Sequence, residues 1–236
     1  MIKKVAFPIT DSALRWLENI LGERFGHKWQ LFIADNTLRL RIQGIDGMIV
    51  FDRLLNCLTE NHSDQPCFWW DAAREGWTHV IGDKIPAPGV EDLATPLVQK
   101  IKDTHFVHYD IVGLIYSMLT RIEEIRRTDL DEHERFPAAS SHAFKNNYLD
   151  RPLVDEWLHI LGSVIQKQWQ GLELKSHKFK FHVSHDVDQA SSYGFQSWLM
   201  IARIMMGHLV KRRNIKEFFR TPRIKFNTQN KLVNSD

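Results

Sequence analysis

The chain has 236 residues, 43% of them hydrophobic and 25% charged, with a formal net charge of +2. That composition is globular, too apolar for disorder, and long enough for one large domain or two small ones. No apolar run approaches the ~18 residues of a membrane span, Val5 to Ile9 is interrupted by Pro8 and too short for a secretory leader, and two cysteines, Cys57 and Cys67, suit a reduced, cytoplasmic protein and not a disulfide scaffold. The charge is uneven. From Met200 to Asp236 nine Lys/Arg face Glu217 and Asp236, a balance of +7, which leaves residues 1–199 at −5.

Thr10 or Ser12 is a predicted cap for a short helix with Leu14, Leu17 and Leu21 on one face, stopping at Gly22. Trp29 to Ala34 and Thr37 to Gln43 read as a hairpin around Asp35-Asn36, with Leu38, Leu40 and Ile42 alternating with Arg39, Arg41 and Gln43. Gly47 to Phe51, Cys67 to Trp70 and Trp77 to Ile81 are further short strand candidates, and Pro86, Pro88 and Gly89 mark a loop. Asp110 is a predicted N-cap for a helix in which Ile111, Leu114, Ile115, Met118, Leu119, Ile122 and Ile125 keep helical spacing. Residues 128–151 are polar and broken by Pro137, an ordered loop of unusual length. Pro152 opens a second helix with Val154, Trp157, Leu158, Leu161 and Ile165 inward. After Gly171 the period changes to two: Phe179, Phe181 and Val183 alternate with Lys180, His182 and Ser184, a predicted strand running into His185-Asp186-Val187-Asp188. Phe195 to Val210 is again helical in pattern.

The sharpest chemical feature is Ser184-His185-Asp186-Val187-Asp188. Alternation puts His182, Ser184, Asp186 and Asp188 on one strand face, with His185 and Val187 on the other. Two carboxylates so close repel, and a divalent metal relieves the conflict, holding one as a ligand and leaving the other as a base. The plainer alternative is a solvated strand end at which aspartate simply stops the strand.

Phe181-His182-Val183-Ser184-His185-Asp186-Val187-Asp188 resembles the first motif of the polysaccharide deacetylase (NodB-homology) family, in which a strand ends in an Asp pair, in some branches Asp-Val-Asp. Upstream, Tyr109-Asp110-Ile111-Val112-Gly113-Leu114-Ile115, Arg121-Ile122-Glu123-Glu124, Arg135-Phe136-Pro137-Ala138 and Arg151-Pro152-Leu153-Val154-Asp155-Glu156-Trp157 resemble a domain often found ahead of that module. The similarity covers about residues 105–190. It implies that Asp186 is the general base and Asp188 a ligand to a divalent metal, expected to be zinc; His185 and His182, which flank the motif in the sequence, are candidates for supporting positions beside them. The implied reaction is hydrolysis of an N- or O-acetyl group on a sugar, with an acetylated carbohydrate as substrate. The family also uses a downstream His-x-x-x-His or His-x-x-x-x-His pair, whereas His208 is the one histidine after Asp188 here. Its catalytic domain is a distorted (β/α) barrel of about 200 residues. The chain therefore looks like an accessory domain plus the start of such a barrel, with the metal bound only if the missing ligands are supplied from elsewhere.

Other candidates are weaker. His105 and His108, three residues apart, fall on opposite faces if they lie on a strand. Phe68-Trp69-Trp70 and Trp77 suit either a sugar-stacking platform or core packing. The basic segment 211–225 suits phosphates or an anionic membrane surface, or reads as a solvated helix face. The expected fold class is α+β: a mixed accessory domain over residues 1–175, then the first strand and helix of an incomplete deacetylase-like barrel over 176–236. The exposed apolar side chains expected in 189–236 suggest self-association there. Nothing in the sequence points to nucleic acid. The competing functional expectation is a non-catalytic carbohydrate-binding or protein-interaction domain with a vestigial acidic motif.

Overall fold

The computed structural model describes residues 10–54, 62–78, 81–184, 193–211 and 213–231, and the chain divides into two compact units, Met1–His177 and Lys178–Asp236. No helix among the described residues is long and apolar enough to cross a membrane.

In the first unit, α1 (Asp11–Phe25) starts where the Thr10 hydroxyl accepts the Ala13 N–H, and it buries Leu14, Leu17, Leu21 and Phe25. It runs through Gly22 and ends at Gly26, whose φ of 74° is the left-handed geometry that releases a helix. Strands β1 (Trp29–Ala34) and β2 (Thr37–Ile42) form the predicted hairpin. Asp35 and Asn36 both have positive φ, 50° and 58°, as a two-residue turn matching strand twist requires. Next come β3 (Met48–Phe51), a separate two-stranded sheet of β4 (Cys67–Trp70) and β5 (Ile85–Pro88), and then β6 (Val98–Ile101) and β7 (Thr104–Val107). The main sheet has the order β1-β2-β3-β7-β6, with β3 and β7 parallel and every other pair antiparallel.

Two local expectations fail in this region. Trp77 begins no strand; it follows a 3-10 turn at Ala72–Glu75 and buries its ring beneath the Lys167 ammonium at 3.4 Å. The proline-rich stretch predicted as loop is strand β5. Pro86 and Pro88 sit at alternate positions, so their missing N–H groups fall on the side away from β4. Their carbonyls turn the same way, accepting the Trp157 indole N–H at 2.8 Å and the Tyr109 hydroxyl at 2.9 Å.

Helix α2 (Ile111–Thr120) is capped by the buried Asp110 carboxylate, which accepts the Gly113 N–H at 2.7 Å. A Cβ on Gly113 would lie 2.2 Å from that carboxylate, so the cap requires glycine there. The helix ends at Thr120 and not at the predicted Ile125, because Arg121 turns left-handed (φ 52°) and Glu123 is drawn to other partners. The long polar loop is ordered around a 3-10 turn at Ala138–Ser140 and a single helical turn, α3 (His142–Lys145). Helix α4 (Leu153–Gln168) then crosses the core. Its Trp157 is fully buried, stacked on Trp70 at 5.5 Å and packed on Tyr109 at 4.6 Å. Arg151, just before α4, forks onto the buried Glu156 carboxylate, with Nε at 3.0 Å, and donates to the Ile81 carbonyl.

In the second unit, the strand predicted over 179–183 does not form: residues 178–184 carry no ladder, and Phe179 is 92% exposed. Alternation alone gives no strand without a neighbour to take its N–H and C=O groups. Helix α5 (Trp198–Val210) is capped by Ser197 and packs on α6 (Ile215–Lys231), which takes up the later part of the basic segment. The molecule is α+β, with a mixed sheet and no closed barrel among the described residues.

Candidate functional site

The carboxylate pair that carries the sequence argument, Asp186 and Asp188, lies with His185 outside the described residues. His182 is exposed in the segment without regular structure. His208 is buried in α5, its Nε2 3.4 Å from the Tyr193 hydroxyl. Among the described residues no group of three or more His, Cys, Asp or Glu is placed to hold a metal ion.

A second polar centre stands at the carboxyl ends of the two parallel strands. Asp52 directly follows β3 and His108 directly follows β7, and the parallel register β3–β7 brings them together, with the Asp52 N–H on the Val107 carbonyl. His108 Nδ1 lies 2.9 and 2.8 Å from the two Asp52 oxygens. An ionised carboxylate only accepts, so Nδ1 donates in this contact. The imidazole is further fixed by its own backbone N–H on Leu97 O. Both side chains are partly exposed, at 17% and 30%, so water reaches the pair. Such a dyad orients an imidazole as a base or a metal ligand. No serine, threonine or cysteine hydrogen-bonds His108 among the described residues.

His105, the other member of the predicted pair, points away: it is buried and its Nδ1 meets Gln168 Oε1 at 2.6 Å. The two rings therefore serve different partners, as strand alternation implies. His108 was singled out in the sequence but Asp52 was not; the available signal was an acid and a histidine each directly following a short strand.

A third cluster latches the long polar loop. Glu123 Oε1 accepts the Ser63 hydroxyl at 2.5 Å and the His142 N–H at 2.6 Å, and Arg127 donates to Ser63 at 2.8 Å. Arg127 also grips Asp129 through two bonds, which with Ser140 hold that carboxyl well below the usual carboxylate range. His142 Nε2 donates to the Gln65 carbonyl, so Nδ1 accepts the Tyr148 hydroxyl at 2.5 Å. Burial pushes the Tyr148 phenol far up, and it pushes the Cys67 thiol up to about 11, which makes that cysteine a poor nucleophile. These groups satisfy one another, the pattern of an ordered loop.

The aromatic candidates pack inward. Trp70 and Trp77 are buried, and half-buried Trp69 lies under the Arg151 guanidinium at 5.4 Å. The first unit also has an open cleft of about 280 Å³, floored by Phe25, Leu158 and Leu174 and rimmed by Arg24, His159 and Lys175.

Residues 20–170 match a family of unknown function, DUF7033. No curated protein and no solved structure matches the chain. The family match takes in the main sheet, the Asp52–His108 pair, the latch and α4, and it stops short of the acidic motif. Because it spans well over half of the residues, the chain belongs to the DUF7033 family.

Proposed function

We propose that the chain takes part in metal-dependent deacetylation of a carbohydrate, with Met1–His177 as an accessory domain and the acidic motif in 178–236 as the start of the catalytic one. The observation that carries this reading is modular. The family match ends at residue 170, the compact unit ends at His177, and Ser184-His185-Asp186-Val187-Asp188 follows in a unit of its own. In this reading Asp186 takes a proton from water, Asp188 holds the divalent metal, and His185 and His182 position the carboxylates. The metal supplies Lewis-acid polarisation of the acetyl carbonyl. A catalytic zinc takes about three protein ligands, so the remaining ones would come from outside this sequence.

The test is acetate release from an acetylated chitooligosaccharide or xylan by the protein expressed from its whole reading frame, with zinc and with a chelator. Chelator-sensitive release that is lost in D186N and D188N, with none from residues 1–236 alone, is the expected result. Release that survives D188N overturns the assignment. Carbohydrate binding without any release favours the non-catalytic module.

A further inference from the structure

Helices α5 and α6 carry a surface that the fold does not bury and the proposed chemistry does not use. In α5, Ile201 and His208 face inward. At ~100° per residue, Trp198, Leu199, Ala202, Met206, Leu209 and Val210 fall within about 120° of arc on the other side. All six are exposed, Leu199 at 85%. In α6, Thr221, Ile224 and Lys225 face inward, while Ile215, Phe219 and Phe226 form an exposed stripe. Exposed Lys216, Arg220 and Arg223 border that stripe along one side. The two stripes meet where the Trp198 and Phe226 rings pack at 4.9 Å. Lys211 and Arg213, in the turn between the helices, add exposed cations. Among the described residues of both helices the one acid is Glu217, already paired with Arg220 at 3.2 Å.

We propose that this helical pair docks on an anionic lipid surface, with the Trp/Leu/Phe stripe at the acyl boundary and the flanking cations among the headgroups. Large aromatic and aliphatic side chains beside a row of Lys/Arg are the pattern of a helix that lies in an interface. The charge selects this occupant: a second copy would bring two +7 segments together, whereas anionic headgroups neutralise them. The inference goes beyond the deacetylase reading, and vesicle binding is read separately from acetate release.

The experiment is co-sedimentation of the 236-residue chain with vesicles of phosphatidylcholine alone or mixed with phosphatidylglycerol. Binding to the mixed vesicles is expected to exceed binding to neutral ones by a hundredfold or more. It should fall on going from 0.1 to 1 M NaCl, as the screening length drops from about 10 to about 3 Å. K216A/R220A/R223A should weaken it about a hundredfold, at roughly one charge's worth of attraction each. K216R/R223K should bind like the parent, because the sign of the charge is what matters. L199D/F219D should abolish binding to both vesicle types while keeping the parent's circular dichroism. Equal affinity for neutral and anionic vesicles overturns the proposal, and so does full binding by the triple-alanine variant. Displacement by inorganic phosphate at constant ionic strength would reveal a free-phosphate site instead. A dimer in vesicle-free sedimentation that L199D/F219D dissociates would assign the face to a second copy.

Discussion

Helices α4 and α5 have opposite relations between composition and burial. Helix α4 carries Asp155, Glu156, His159 and Lys167, yet it buries Leu153, Trp157, Leu158, Ile160, Leu161, Val164 and Ile165. Helix α5 has Arg203 as its one formal charge and buries Ile201 and His208. The difference lies in what surrounds them. Helix α4 has a five-stranded sheet, a second small sheet and α2 to pack against, and Trp157 fills the space between Trp70 and Tyr109. Helix α5 packs on α6, and two helices give one shared seam, which leaves the outer face of each in water. An apolar helix is therefore buried only as far as its neighbours allow.

The strongest way to break this contrast is Trp157→Ala. It removes a fully buried indole and orphans the Pro86 carbonyl, and it should cost about 3–5 kcal/mol in denaturant unfolding of the first unit. A loss below about 1 kcal/mol would mean that α4 is no better packed than α5. Arg151→Ala comes next: it strands the buried Glu156 carboxylate and should cost about 3 kcal/mol, with Arg151→Lys recovering only part because lysine lacks the planar fork.

Acid sharpens a finer distinction inside the first unit. Asp129, held by Arg127, and Asp131, held first by the Arg135 backbone N–H, both have lowered carboxyl pKa values. Groups depressed on folding stabilise fully above their ordinary value of about 4, and that contribution is lost as pH falls through the lower folded values. Amide chemical shifts of residues 129–141 should therefore move on acidification below about pH 4 while those of 160–168, the acid-free part of α4, hold. Joint movement of both sets would show that the latch and the core are one cooperative piece. The smallest effect belongs to the exposed face: Leu199→Ser should change stability by no more than about 0.5 kcal/mol, measured by denaturant unfolding of the second unit. A cost near 2 kcal/mol would place that side chain in a core.

Elements with local signals were legible in the sequence. The Asp35-Asn36 hairpin, the Asp110 cap and the spacing of Trp157, Leu158, Leu161 and Ile165 each need only nearby residues to be understood. Strand β5 was illegible because proline argues against a strand until it is known which side of it is paired. The β6–β7 hairpin went unread, since Val98 to Ile101 holds Gln and Lys and its turn relies on Lys102 at φ 54°. The alternation of Phe179, Phe181 and Val183 stated which faces a strand would use and was silent on whether a neighbour exists. Of the dyad, His108 was visible and Asp52 was not, since the pairing depends on a parallel register between strands far apart in sequence. The acidic motif suits a solvated strand end as well as a metal site by its residue types, the chemical reading rests on the family resemblance, and residues 185–188 lie outside the described residues.

That parallel register also bears on synthesis. The strands β1, β2 and β3 are contiguous and can assemble as soon as they leave the ribosome. Strand β3, with Ile49, Val50 and Phe51, must then wait for Thr104–Val107 before its second edge is covered. At about 5–20 residues per second that wait is on the order of several seconds, with an apolar strand edge open to other nascent chains. The vulnerable interval in the life of this protein thus falls during translation of residues 52–107, and slowing the ribosome there would lengthen it.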